Sequence, residues 1–213
     1  MSDYETQREG MVADQLEARG ISDPRVLLAM RAVPRHCFIP SENRGHAYRD
    51  GPVPIGQDQT ISQPYIVAIM AELADLAPGQ TVLDVGMGSG YAAAVAAQIV
   101  SHVYAIERHA PLTRQASNVL DSLGYQNVTT RTGDGTKGWP EMAPFDAILV
   151  AAAGDVPRAL CEQLKPGGRL VIPVSGPGGR QMLKRITRTG DDTWSEMDAG
   201  GVAFVPLVNE AGR

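Results

Sequence analysis

The chain has 213 residues, 43% of them hydrophobic, which is enough to bury a full core, while its formal charge of -5, its pI near 5.4 and the lack of a Lys/Arg cluster exclude a general nucleic-acid binder. The opening stretch Met1 to Glu9 is charged and lacks the apolar segment of a secretory leader, and no apolar run approaches a membrane span, so a soluble cytoplasmic protein is expected. Cys37 and Cys161 are far apart and have no Cys/His ligand spacing, so reduced thiols and no metal site are expected.

The first predicted helix runs from about Thr6 to Arg19, with Met11, Val12, Leu16 and Ala18 on a loose apolar face and Gly20 as its stop. Asp23 caps a second, which opens on Pro24, carries Val26, Leu27, Ala29 and Met30 on its apolar side and ends before Pro34. From Phe38 to Gly56 the density of proline and glycine argues against regular structure over most of the stretch, and long loops in compact domains are usually functional. The segment Gln59-Thr60-Ile61-Ser62-Gln63-Pro64 then enters a helix with Ile66, Val67, Ile69, Met70 and Leu73 on its apolar face. Ser62 has two readings: a cap at the helix entrance, or a hydroxyl that meets a substrate, since this loop should cross the ligand site of a doubly wound sheet.

Val82, Leu83 and Val85 form a short buried strand, and Gly86, Gly88 and Gly90 turn it into the alanine-rich helix that follows. Glycines there permit positive φ and a close approach of ligand to backbone. A second strand, Val103 to Ile106, ends on Glu107, where a carboxylate can accept from two ribose hydroxyls. The spacing is G-x-G-x-G rather than G-x-G-x-x-G, and Asp84 precedes it; a carboxylate there would repel a pyrophosphate but suits an ammonium and a sulfonium. S-adenosylmethionine therefore fits better than a dinucleotide. A helix from about Pro111 to Leu123 and a strand from Val128 to Thr132 lead to Gly133-Asp134-Gly135, where Asp134 either accepts from the adenine amino group or makes an ordinary Asp-Gly turn. Further strands are predicted at Phe145 to Val150, Arg169 to Val174, Gln181 to Arg188 and Val202 to Val208, with a short helix from Pro157 to Leu164. The pattern is α/β.

The segments Thr60-Ile61-Ser62-Gln63-Pro64, the glycine loop, Gly133-Asp134-Gly135 with Gly138-Trp139, Gly167-Gly168-Arg169-Leu170 and Phe204-Val205-Pro206-Leu207 resemble the protein-L-isoaspartate O-methyltransferase family, and the likeness covers nearly the whole chain. The resemblance implies a Rossmann-like, seven-stranded S-adenosylmethionine-dependent methyltransferase fold with helices on both faces, the last two strands exchanged relative to most methyltransferases, and an N-terminal helical appendage. It implies one domain, with residues 1–58 covering the site of a 59–213 core. It also implies methylation of isoaspartyl residues in damaged proteins and peptides by a monomer, with Ser62 as the active-site position. Gln59, Thr60, Ile61, Asp84, Gly86, Gly88, Ser89, Glu107, Asp134 and Gly135 would hold the cofactor. Ile55, Ser62 and Val205 would hold the substrate, and no metal is required.

The chain departs from the family pattern at Asp58, Met87 and Ala151. Asp58 either places a negative charge beside a carboxylate site or is a turn residue, since aspartate accepts turn conformations well. Its charge keeps open a related O-methyltransferase for a dedicated peptide or small carboxylic acid; a non-catalytic adenosyl-binding module is the remaining alternative.

Overall fold

The computed structural model describes residues 3–209; Met1, Ser2 and residues 210–213 of the expected domain span lie outside the described residues. Its first element, α1 (Asp3–Gly10), continues through a π-helical turn (Met11–Leu16) and a 3-10 turn (Glu17–Arg19) to Gly20, whose φ of +92° ends the helical run. The helix α2 (Pro24–Ala32) starts as the sequence predicts, with the Asp23 carboxylate accepting from the Arg25 N–H at 2.8 Å. Glu72 then accepts from the backbone N–H groups of Ser22 and Asp23, at 3.0 and 2.8 Å, which ties this region to the helix that carries Glu72.

The proline-rich stretch is more ordered than its composition suggests. It contains two 3-10 turns (Arg35–Phe38 and Ser41–His46) and then a hairpin of β1 (Val53–Gly56) and β2 (Gln59–Ile61). Gln57 and Asp58, at φ +53° and +55°, are the two left-handed residues of its turn, the conformation that suits the twist of a two-residue hairpin. The departure at Asp58 is thus a residue held in the region where glycine is least strained.

The helix α3 (Pro64–Leu73) precedes β3 (Thr81–Val85), α4 (Tyr91–Ala97), β4 (His102–Glu107), α5 (Ala110–Ser122), β5 (Val128–Thr132), β6 (Phe145–Val150), α6 (Arg158–Glu162), β7 (Leu164–Ser175), β8 (Gln181–Gly190) and β9 (Thr193–Val202). The seven-stranded sheet has the order β5-β4-β3-β6-β7-β8-β9, parallel from β5 to β7 and antiparallel through β8 and β9. Alternation along each strand divides the core. Val82, Val103, Ala147 and Leu149 face α2, α3, α4 and α5, whereas Leu83, Val85, Ile148 and Val150 face Trp139 and the α6 residues Leu160 and Cys161. The chain runs outward from β3 to β5 and then returns to β6 on the other side, so the strand order reverses between β3 and β6, where an open α/β sheet has its binding crevice.

The last strand lies elsewhere than the apolar pattern predicts. β9 is Thr193–Val202, mostly exposed, because an edge strand with a solvated face needs no apolar run. The apolar segment Ala203 to Val208 instead lies extended beside Ala153, which donates to the Val205 carbonyl at 2.8 Å and accepts from the Leu207 N–H at 2.7 Å. No helix among the described residues is long and apolar enough to cross a membrane.

The hairpin geometry yields a test of Asp58. Asp58→Gly removes a left-handed penalty of roughly 1–2 kcal/mol and adds a glycine entropy cost of roughly 0.5–1 kcal/mol. A net gain is expected, raising the melting temperature by about 1–4 °C in thermal unfolding. An unchanged melting temperature together with a several-fold lower KM at low salt would instead put the Asp58 charge at the substrate.

Candidate functional site

The crevice is shaped by how β3 hands over to α4. The N–H groups of Gly86 and Met87 both donate to the Ile106 carbonyl, at 2.8 and 3.0 Å, so the glycine loop folds back over the end of β4. Gly90, at φ +86°, opens α4, and a Cβ built on it would lie 3.1 Å from the Ala116 Cβ, so glycine also sets the close packing of α4 on α5. Glu107 is 4% exposed, and its two carboxylate oxygens accept from the N–H groups of Gly88 and His109, both at 2.9 Å. Each oxygen keeps a further lone pair for a ligand.

Asp84 lies beneath the loop, 1% exposed, with one carboxylate oxygen buried and without a hydrogen-bond partner. Burial, reinforced by the Glu107 charge, pushes its pKa up to about 7. It borders a small apolar cavity shared with Ser62, Val67, Met70 and Ala151. An orphaned carboxylate oxygen here suits a cation or donor brought by a ligand.

The cleft above the glycine loop brings together Gln59, Thr60, Ile61, Ser62, Gly86, Gly88, Ser89, Glu107, Gly135 and Val205 from the sequence-predicted set. Three predicted residues stand apart from that lining. Ile55 is buried behind the loop, its Cδ1 3.4 Å from where a Gly88 Cβ would lie. Asp84 lies below. Asp134 accepts from the Thr136 N–H at 2.9 Å and the Thr136 hydroxyl at 2.6 Å, capping the 3-10 turn Gly135–Lys137. Gly135 presses against the end of β3, since a Cβ there would sit 2.4 Å from the Val85 Cγ1. The cleft also includes Tyr91, His109, Ala152 and Leu207, which sequence reasoning missed. His109 could have been found from its place just past Glu107, at the mouth of the switch point.

Ser62 is half-buried, and its hydroxyl has no hydrogen-bond partner among the described residues. The residue at the helix entrance is Gln63, which makes no side-chain cap, so the capping reading of Ser62 finds no support in the geometry. Ser62, Thr60, Ala151 and Val205 line both the cleft and a broader outer groove that also contains Arg19, Tyr65, Arg180 and Phe204. Ser62 thus stands where the cleft meets the broader groove. No group of three or more His, Cys, Asp or Glu side chains able to hold a metal ion occurs among the described residues.

Residues 6–212 match the family model described as protein-L-isoaspartate(D-aspartate) O-methyltransferase. A protein-L-isoaspartate O-methyltransferase of Methylorubrum extorquens (strain PA1) is 58% identical over 206 residues, covering 96% of this chain and 90% of that one. One of Pelotomaculum thermopropionicum (strain DSM 13744 / JCM 10971 / SI) is 53% identical over 207 residues, covering 97% and 90%. Among solved structures, a protein-L-isoaspartate O-methyltransferase superposes with a TM-score of 0.86 at 30% identity over 93% of this chain, which spans 65% of the length of that one. A Plasmodium falciparum structure, described as such a methyltransferase in complex with S-adenosyl-L-homocysteine, gives 0.82 at 26% identity, covering 97% of this chain and 99% of that one. With the family model matched over residues 6–212, this chain belongs to the protein-L-isoaspartate(D-aspartate) O-methyltransferase family.

Proposed function

We propose that this chain transfers a methyl group from S-adenosylmethionine to the free α-carboxylate of L-isoaspartyl residues in damaged proteins and peptides, acting as a cytoplasmic monomer in which residues 1–58 cover the 59–213 core of a single domain. The observation that carries this reading is the uncommitted Ser62 hydroxyl at the junction of the cleft and the broader groove. A protein substrate needs such a groove, and a cleft at the switch point of the sheet suits a small cofactor.

The residues present fit that cofactor. Glu107 offers free lone pairs in the cleft for the ribose hydroxyls, and Gly86 and Gly88 leave backbone room. The orphaned oxygen of Asp84 suits the cationic end. Gln59, Thr60, Ile61, Ser89 and Gly135 complete the wall, and Asp134 supports it by capping the turn that holds Gly135 in place. When bound, S-adenosylmethionine supplies a methyl group activated by its sulfonium.

An isoaspartyl α-carboxyl has a pKa of about 3.5 and is ionised at neutral pH, so the protein need supply no general base. Its task is alignment in a site that excludes water. The Ser62 hydroxyl donates to the carboxylate and fixes one oxygen towards the cleft. Val205 lies on the same border, and Ile55 of the hairpin supports the glycine loop from behind. The nitrogen of the following backbone amide then attacks the ester carbonyl, methanol leaves with the amide proton, and water opens the resulting succinimide without further help from the protein.

A methyl-transfer assay on an isoaspartyl peptide beside its aspartyl twin tests the reading: transfer to the first alone is expected, and transfer to neither would overturn it. Ser62→Ala should lower turnover while leaving S-adenosylhomocysteine affinity and melting temperature nearly unchanged. Full turnover with a lower melting temperature would return Ser62 to a capping role. Glu107→Ala should weaken S-adenosylhomocysteine binding by about 10- to 150-fold in calorimetry, the equivalent of one charge-assisted hydrogen bond of roughly 1.5–3 kcal/mol. Unaltered affinity would remove Glu107 from the ribose.

A further inference from the structure

Three charged side chains are buried among the described residues: Asp84, Glu107 and Arg35. The two carboxylates belong to the cofactor side of the cleft. Arg35 has no exposed surface and forms no ion pair with any described carboxylate. Its Nε donates to the Ala47 carbonyl at 2.7 Å and one terminal nitrogen donates to the Ser62 carbonyl at 2.8 Å, while the other terminal nitrogen is buried without a partner. The guanidinium carbon sits 4.8 Å from the centre of the Tyr91 ring, which lines the cleft at the first residue of α4. One side chain therefore joins the covering segment, the Ser62 backbone and the cofactor helix.

Structural economy does not explain a cation in this place. Methionine would fill the volume without desolvating a charge, and glutamine could reach a carbonyl while staying neutral. Burial brings the Arg35 pKa down to about 10, which still leaves it charged at neutral pH. What distinguishes arginine is a rigid fork able to hold separate acceptors at once, together with a charge that no neighbouring carboxylate cancels.

We propose that Arg35 is a positioning residue for methyl transfer: its guanidinium fixes the Ser62 backbone against the cofactor helix and, lacking a carboxylate partner, sets a positive potential behind the seat of the substrate carboxylate. This rests on the reading of Ser62 as the residue that meets an isoaspartyl carboxylate. The two roles separate kinetically. Loss of alignment lowers kcat, because the reacting atoms no longer meet in line, whereas loss of charge raises KM for an anionic substrate.

The test compares wild type, Arg35→Lys and Arg35→Met by melting temperature, S-adenosylhomocysteine calorimetry and isoaspartyl-peptide kinetics. Wild-type turnover is measured first, because its absence would refute the functional reading rather than the role of Arg35. In Arg35→Met, kcat/KM should fall on the order of 10²-fold through both constants, with S-adenosylhomocysteine affinity changed by less than about threefold. Arg35→Lys keeps the charge but cannot span both carbonyls, so KM should return to within about threefold of wild type while kcat stays low by about tenfold. If Arg35→Met does not fold, that split in Arg35→Lys carries the test. Wild-type kcat and KM in either folded variant would overturn the proposal, as would a loss of transfer matched by an equal loss of cofactor affinity.

Discussion

Everything in this protein that concerns a ligand depends on how the chain leaves the end of β3. A parallel strand buried on both faces must release its last backbone groups into a turn, and Ile106 accepts two of them while Glu107 fastens a third through the Gly88 N–H. The glycine loop is therefore hydrogen-bonded to the neighbouring strand before any ligand arrives. Donors paid out in this way cannot wander, which keeps the loop open at the width the glycines permit. The same carboxylate that holds the loop presents its remaining lone pairs to the cleft, so the shape of the site and its proposed ribose contacts cannot be varied independently.

The second requirement is a cover. A crevice at a topological switch point is open to solvent, and excluding water needs a segment that crosses it without being a stable element of the sheet. The stretch from 35 to 62, whose last residues Gln59 to Ser62 line the cleft, consists of two 3-10 turns and a short hairpin. Their order comes from outside: Phe38, Ile39, Val53, Ile55 and Ile61 are buried in the core, and Arg35 grips two of the segment's own carbonyls. A polar fastening suits this place because carbonyls in a tight loop must find donors, and a single guanidinium serves two of them.

That division explains what the sequence disclosed. The β3 strand, the glycine loop and Glu107 were legible because a buried parallel strand followed by glycines has few other physical meanings, and α2 was legible from Asp23 and Pro24. The hairpin was hidden inside a proline-rich stretch, since four- and three-residue strands leave little periodicity to detect. β9 was hidden for the opposite reason: its solvated residues resemble a loop, while the apolar run from Val202 to Val208 resembles a strand but leaves the β8–β9 ladder after Val202 and then meets Ala153 and the Gln181 side chain, which bridges both backbone groups of Phe204. Arg35 could not be read as special at all, because nothing in Pro34-Arg35-His36 indicates that the arginine faces inward.

The proposed reaction joins a sulfonium and a carboxylate, opposite charges that both vanish as the methyl group moves. A site that stabilised each charge strongly would deepen the ground state and slow the step, so favourable contacts must be enough to seat the two groups without over-stabilising them. The buried charges are arranged in keeping with that. On the cofactor side, Asp84 lacks a partner for one oxygen, and burial beside Glu107 raises its pKa, so its negative charge is disfavoured until a cation arrives. On the Ser62 side, Arg35 donates to the Ser62 carbonyl and not to the hydroxyl, so in the proposed reaction the hydroxyl alone would touch the substrate. Direct pairing of an arginine with the carboxylate would bind more tightly and hold its oxygens away from the methyl. A buried guanidinium behind the Ser62 carbonyl would offer the weaker, longer-ranged attraction that seats an anion and still lets it react.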